Sequence, residues 1–285
     1  MQIGAHVSAA GGYKNAISNG TELGCDAIQF FPSAPHSWYT KQPSSSQISE
    51  FNTLFKSSSI KSVFLHAIYL INFATADSEH LKKSIDSMVT FMKIASDIGA
   101  STVVVHPGSH KGLGFERVQD QLIESINEVV EESPDGPMIA LENMSGMGSQ
   151  ICSDLDELLN VVTKINSDRV GICLDTQHAY AAGYDLRQKK ICDDIISSIS
   201  NQIGLNKLCV IHANDSKTGL GSHLDRHENI GEGHIGDNVF LNFMKGLATT
   251  DMPFILEVPG FKHKGPDIEN ITKLKTIQKQ VGLKK

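Results

Sequence analysis

Eight short runs of β-branched and apolar residues recur along the chain: Gln2–Val7, Asp26–Phe31, Lys61–His66, Thr102–His106, Met138–Glu142, Val170–Asp175, Lys207–His212 and Phe254–Val258. They are apolar nearly throughout rather than alternating, as strands covered on both faces of a parallel sheet must be. Between them lie segments such as His80–Ile98 (Leu81, Ile85, Met88, Met92, Ala95) and Arg117–Val130 (Leu122, Ile126, Val129), whose apolar residues have helical spacing. Strand then helix, repeated eight times, is the order of an α/β protein of the (β/α)8 TIM-barrel class. A doubly wound open sheet shares that alternation, so the alternation alone does not decide.

The polar residues decide. Five of the eight runs end in a group able to ligate a metal, His66, His106, Glu142, Asp175 and His212, and Glu257 stands one residue from the end of the eighth. Successive groups are about one strand-and-helix unit apart. In a closed barrel all strand ends converge on one face around a common axis, whereas the outer ends of an open sheet lie too far apart to share a site. The barrel is therefore the expected fold.

Composition narrows the class further. With 285 residues, 40% hydrophobic and 20% charged, the chain can bury a large core, which excludes disordered and fibrous architectures. The Ser-rich stretches Ser44–Ser49 and Ser57–Ser59 read as loop around one short helix, so a single domain over residues 1–285 is expected. No apolar run approaches the roughly 18 residues of a membrane span, and Met1–Gly20 lacks the basic start and apolar stretch of a signal peptide. A soluble, cytoplasmic protein is expected. Cys25, Cys152, Cys173, Cys192 and Cys209 are odd in number and never paired as C-x-x-C, which argues against a disulfide framework or a cysteine zinc site. Cys173 and Cys209 lie in apolar runs and read as core residues. The net charge of -7 taken alone argues against a polyanionic partner.

Two further segments add donors. In Asp175-Thr176-Gln177-His178 a carboxylate closes a strand and an imidazole follows one turn later; the same Asp could simply cap the next helix. In Asp225-Arg226-His227 two ligand types stand at i and i+2, which point the same way in extended chain. The second segment belongs to a long insertion, Asn214–Gly236, with five glycines, which must be either a functional loop or a disordered one. Nine groups then map to the C-terminal rim: His66, His106, Glu142, Asp175, His178, His212, Asp225, His227 and Glu257. Four are carboxylates, and close like charges are costly unless cations neutralise them. Mixed imidazole and carboxylate donors favour zinc, with manganese or iron as alternatives, and nine groups with one bridging carboxylate would serve two or three ions.

Several strings in this sequence are long and specific: IGAHVSAAGG (3–12), YLIN (69–72), HPGSH (106–110), LEN (141–143), LDTQHAYAAGYDL (174–186), HANDSK (212–217), DRHENIGEGHIG (225–236) and ILE (255–257). In order, and over nearly the whole chain, they resemble the endonuclease IV family of apurinic/apyrimidinic endonucleases. The resemblance implies three zinc ions: the first held by His66, His106 and Glu142, the second by Glu142, Asp175, His212 and Glu257, the third by His178, Asp225 and His227. Three divalent ions would bring the net charge close to neutral, which eases the objection to a DNA partner. The implied substrate is double-stranded DNA containing abasic sites, with neither a membrane nor an obligate protein partner.

The resemblance also implies the chemistry. Zinc-activated hydroxide attacks the phosphate 5′ to an abasic deoxyribose, leaving a 3′-hydroxyl and a 5′-deoxyribose phosphate. Glu142 and Glu257 are the implied catalytic residues, Glu142 by bridging and Glu257 by also orienting the nucleophile. Tyr69 and Leu70 match a wedge that enters the DNA. One departure stands out: relatives often carry a polar and basic stretch ending in Arg before the tryptophan, whereas here Pro32-Ser33-Ala34-Pro35-His36 precedes Trp38, so His36 takes the place of the inserted arginine. One rival is a lesion-binding protein that has lost catalysis, against which the intact ligand set argues; the other is a sugar isomerase or epimerase, whose barrel also sets Glu, Asp, His and Glu at strand ends. Such an enzyme has no need of His178, Asp225 and His227.

Overall fold

The computed structural model describes residues 1–282. Within them the strands are β1 (Gln2–His6), β2 (Ala27–Phe30), β3 (Ser62–His66), β4 (Thr102–Val105), β5 (Met138–Glu142), β6 (Val170–Asp175), β7 (Leu208–His212), the short pair β8 (Asp215–Ser216) and β9 (His227–Glu228), and β10 (Pro253–Leu256). Eight of them close into a barrel in the order β1-β10-β7-β6-β5-β4-β3-β2, with parallel pairing throughout. The open-sheet alternative is thereby excluded. Helices α1 (Lys14–Leu23), α2 (Ser45–Ser57), α3 (Ser78–Ile98), α4 (Phe115–Glu132), α5 (Leu155–Ile165), α6 (Thr176–Ala182), α7 (Lys189–Gln202), α8 (Asp237–Gly246) and α9 (Ile268–Lys279) intervene.

Seven buried side chains fill the barrel axis as a cluster separate from the rest of the core: Ala27, Phe64, Val104, Ala140, Cys173, Val210 and Ile255. Their neighbours along each strand join the larger core beneath the helices. At the same level β1 supplies Gly4, where an added Cβ would fall 2.0 Å from the Ala27 carbonyl oxygen. Side chains alternate along a strand, so the residue two positions further on points inward again, one layer nearer the C-terminal mouth. Two steps from Gly4, Ala27, Phe64, Val104, Ala140, Cys173, Val210 and Ile255 stand His6, Gln29, His66, His106, Glu142, Asp175, His212 and Glu257. Strand register thus turns an apolar layer into a polar ring.

Two local expectations change. Ser45, Ser46 and Ser49 lie inside α2 rather than in a loop. Ser44 is its N-cap and forms a reciprocal capping box with Gln47, which lets a serine run start a helix. Cys209 is only half-buried, and Cys173 is more than a packing residue, since its thiol lies within ligating reach of Glu142 and His212. The insertion Asn214–Gly236 is folded: β8 pairs antiparallel with β9, and buried Asp215 accepts the backbone N–H groups of Gly231, Ile235 and Gly236.

Candidate metal centre

Glu142 ends β5 fully buried, and its two carboxylate oxygens face different partners. Oε2 lies 3.3 Å from His66 Nε2 and 3.2 Å from His106 Nε2. Oε1 lies 3.0 Å from His212 Nδ1, which in turn is 3.2 Å from Glu257 Oε2 and 3.8 Å from Asp175 Oδ2. One carboxylate therefore belongs to two donor clusters: His66, His106 and Glu142 on one side, and Glu142, Asp175, His212 and Glu257 on the other.

The third cluster rests on α6 and the β9 ladder. His178 Nε2 is 3.3 Å from Asp225 Oδ2, and His227 Nε2 is 3.3 Å from Asp225 Oδ1. Asp175 also approaches this group, at 3.7 Å from His227 Nε2, so it stands between the second and third clusters. All nine residues singled out in the sequence thus meet at one mouth.

The donor atoms fit cations. His178 Nε2 and His227 Nε2 are buried and have no hydrogen-bond partner among the described residues. An orphaned imidazole nitrogen aimed at carboxylates is costly unless something positive joins them. Their opposite nitrogens are committed, His178 Nδ1 to the Asn143 carbonyl at 2.9 Å and His227 Nδ1 to the Glu257 carbonyl at 3.2 Å. His66 repeats the pattern with the Ala67 carbonyl at 2.7 Å. Such contacts orient imidazole ligands and fix which nitrogen offers its lone pair.

The electrostatics agree. Burial works to raise the Glu142 carboxyl, but His212 and His106 outweigh it and hold it well below the usual carboxylate range. Burial likewise opposes a charge on His178 and His212. Asp175 and Asp225 nonetheless raise His178 well above the usual histidine range, and contacts that include Cys173, Glu257 and Glu142 do the same for His212. A divalent cation answers the same negative field, in competition with those protons.

Four residues of the site were not singled out in the sequence. His6 Nδ1 lies 3.1 Å from Glu257 Oε1, and Gln29 Nε2 donates to that same oxygen at 2.7 Å. Asn143 clamps the backbone of Asp175 through both of its amide atoms. Asn214 donates to Asp175 Oδ2 at 2.7 Å and accepts the Glu257 N–H at 2.8 Å. The first two, His6 and Gln29, occupy the same inward-facing position as the ligating groups on the other strands, a register that the barrel and not the sequence alone reveals.

Beside the ring opens a cavity of about 760 Å³, lined by Ser8, Ala10, Tyr13, Pro32, Tyr69, Glu257 and Lys264 among others. Tyr69 is 46% exposed at its lip, with its ring 5.8 Å from that of His66 and 5.6 Å from that of His106. Leu70 differs from it, being half-buried against the core. His36 is exposed and sets its ring 5.4 Å from that of Tyr69, tilted by 43°, and the Tyr69 N–H donates to the Pro35 carbonyl. The β2 and β3 loops are therefore joined at this lip.

A family model described as a xylose isomerase-like TIM barrel matches residues 18–277. A probable endonuclease 4 from Halothermothrix orenii is 41% identical over 276 residues, 96% of this chain and 99% of the relative. The chain belongs to the endonuclease IV family. A probable endonuclease 4 from Methanoculleus marisnigri is 36% identical over 96% of this chain and 98% of its own. The crystal structure of endonuclease IV from Thermus thermophilus superposes with a TM-score of 0.84 at 30% identity, covering 99% of this chain and 98% of that one. A D-tagatose 3-epimerase-like protein superposes with a TM-score of 0.75 at 22% identity over 99% and 97% of the two chains, a likeness of fold alone. As an endonuclease IV family member the chain is an enzyme, a metal-dependent phosphodiester hydrolase.

Proposed function

We propose that this endonuclease IV family member cuts double-stranded DNA at abasic sites with three zinc ions, leaving a 3′-hydroxyl and a 5′-deoxyribose phosphate, within the cytoplasm and as one domain over residues 1–285. Manganese or iron fits the same donors at some positions. The observation that carries the reading is the division of Glu142, whose two oxygens serve two donor clusters while His178, Asp225 and His227 stand beside them as a third. A one- or two-metal sugar isomerase has no use for the third.

Bound ions would supply nucleophilic water at neutral pH and neutralise charge on the phosphate. The chain's own residues do the rest. Glu142 keeps two clusters at a fixed separation, because a buried carboxylate held by four imidazoles has no freedom to turn. Glu257 has Oε1 tied to Gln29 and His6, so Oε2, which faces His212 Nδ1 at 3.2 Å, is the oxygen that would both hold the second ion and orient an attacking water. Tyr69 and Leu70 stand where an apolar wedge can offset the few kcal/mol of unstacking needed to turn an abasic nucleotide out of a duplex. His36, its ring against that of Tyr69, takes part in the same DNA contact.

The test is elemental analysis of the purified chain, followed by incubation with duplexes that differ only in one abasic site. Zinc-dependent nicking confined to the abasic duplex supports the reading. Full zinc content with no nicking, accompanied by ketose epimerisation, would replace it with the epimerase rival.

A further inference from the structure

We propose that Gln29 is the positioning residue of the second cluster, its single amide fixing both the lone pair of His212 and the orientation of Glu257; this rests on the metal reading above. The ring contacts motivate it. His66, His178 and His227 each turn Nδ1 to a backbone carbonyl, an acceptor only, so each carries its proton there and offers Nε2. His212 is reversed: Nδ1 faces Glu142 Oε1 at 3.0 Å and Glu257 Oε2 at 3.2 Å, while Nε2 faces a side chain, Gln29 Oε1, at 3.0 Å.

The chemistry of the partners sets the amide's direction. Gln29 Nε2 lies 2.7 Å from Glu257 Oε1, and an ionised carboxylate can only accept. The NH2 end therefore faces Glu257 and the carbonyl end faces His212. That carbonyl requires a hydrogen on His212 Nε2, which leaves the Nδ1 lone pair directed into the cluster. Gln29 is fully buried in β2, two residues beyond Ala27 of the apolar layer, so its side chain is held by packing as well. It offers no lone pair to the cluster itself; it acts through its two neighbours.

The test compares the zinc-loaded parent with zinc-loaded Gln29→Met, which keeps similar volume and loses the hydrogen bonds to His212, Glu257 and His6. Zinc equivalents retained are counted against a graded chelator. Removal of the partner that orients a ligand typically weakens metal affinity 10–100-fold. The expected result is one equivalent in three lost at roughly 10–100-fold lower chelator, with the other two leaving as in the parent. Identical retention overturns the inference alone. Uniform loss of all three with a lowered melting temperature shows a merely structural role and also overturns it. A parent that retains no zinc overturns the metal reading and this inference together. Because Gln29→Met could misfold, the ring ¹⁵N spectrum of the zinc-loaded parent gives an independent check. His212 bound through Nδ1 with a protected Nε2–H supports the assignment, and binding through Nε2 refutes it.

Discussion

Asp175 caps the helix that carries His178. Its Oδ1 accepts the His178 backbone N–H at 2.8 Å, while its Oδ2 points into the barrel mouth, 3.7 Å from His227 Nε2 and 3.8 Å from His212 Nδ1. The two meanings an aspartate can have at a strand end, helix cap and metal donor, are here properties of two oxygens on one residue. The cap starts α6 at once after β6, and so sets His178 Nε2 beside Asp225.

Asp175→Asn separates those roles. Asparagine caps helices about as well as aspartate, so the variant should fold. Without the charge it should lose zinc from the second and third clusters together. Circular dichroism and metal content check both halves, and an Asp175→Asn protein with the parent's zinc content would make the residue a cap only.

Glu142→Ala removes the group shared by two clusters. Bound metal should fall by more than one equivalent and abasic cleavage by several orders of magnitude, with the barrel intact, since the apolar layer below does not depend on Glu142. Full metal content with near-normal turnover would contradict a shared carboxylate.

The double variant Tyr69→Ala, Leu70→Ala addresses the lip. It should cleave abasic duplex far more slowly with unchanged zinc content, and single-stranded abasic DNA, which has no stack to open, should be affected less. Equal cleavage of duplex by variant and parent would reduce both residues to a rim cap. Because Leu70 is half-buried, thermal melting must accompany the assay.

Gly4→Ala tests the packed axis. The new Cβ would fall 2.0 Å from the Ala27 carbonyl oxygen and 2.7 Å from Ile255 Cδ1, contacts that backbone cannot relieve cheaply. Overpacking of this kind costs about 1–3 kcal/mol, readable as a lower denaturant midpoint. An unchanged midpoint would mean that the barrel opens at β1 without cost.

The barrel was legible because a closed ring is the only arrangement that brings ligating groups from widely separated strand ends to one place. His66, His106, Glu142, Asp175 and His212 advertise themselves by closing apolar runs. His6 and Gln29 do not, for the runs that hold them extend to Val7 and Phe31, and a glutamine is a poor metal ligand. Only when Gly4 and Ala27 are known to share the inward layer does counting two residues reach them. Asn143 and Asn214 were hidden for another reason: their partners, Asp175 and Glu257, sit at the ends of neighbouring strands far away in sequence, and no local spacing encodes such contacts.

Anomalous diffraction at the zinc edge, from crystals of the zinc-loaded chain, tests the central claim most directly. Three peaks are predicted: one among His66, His106 and Glu142, one among Glu142, Asp175, His212 and Glu257, and one among His178, Asp225 and His227, with Glu142 touching the first two. A single peak on the Oε1 side of Glu142, leaving His66 and His106 without an ion, would contradict it.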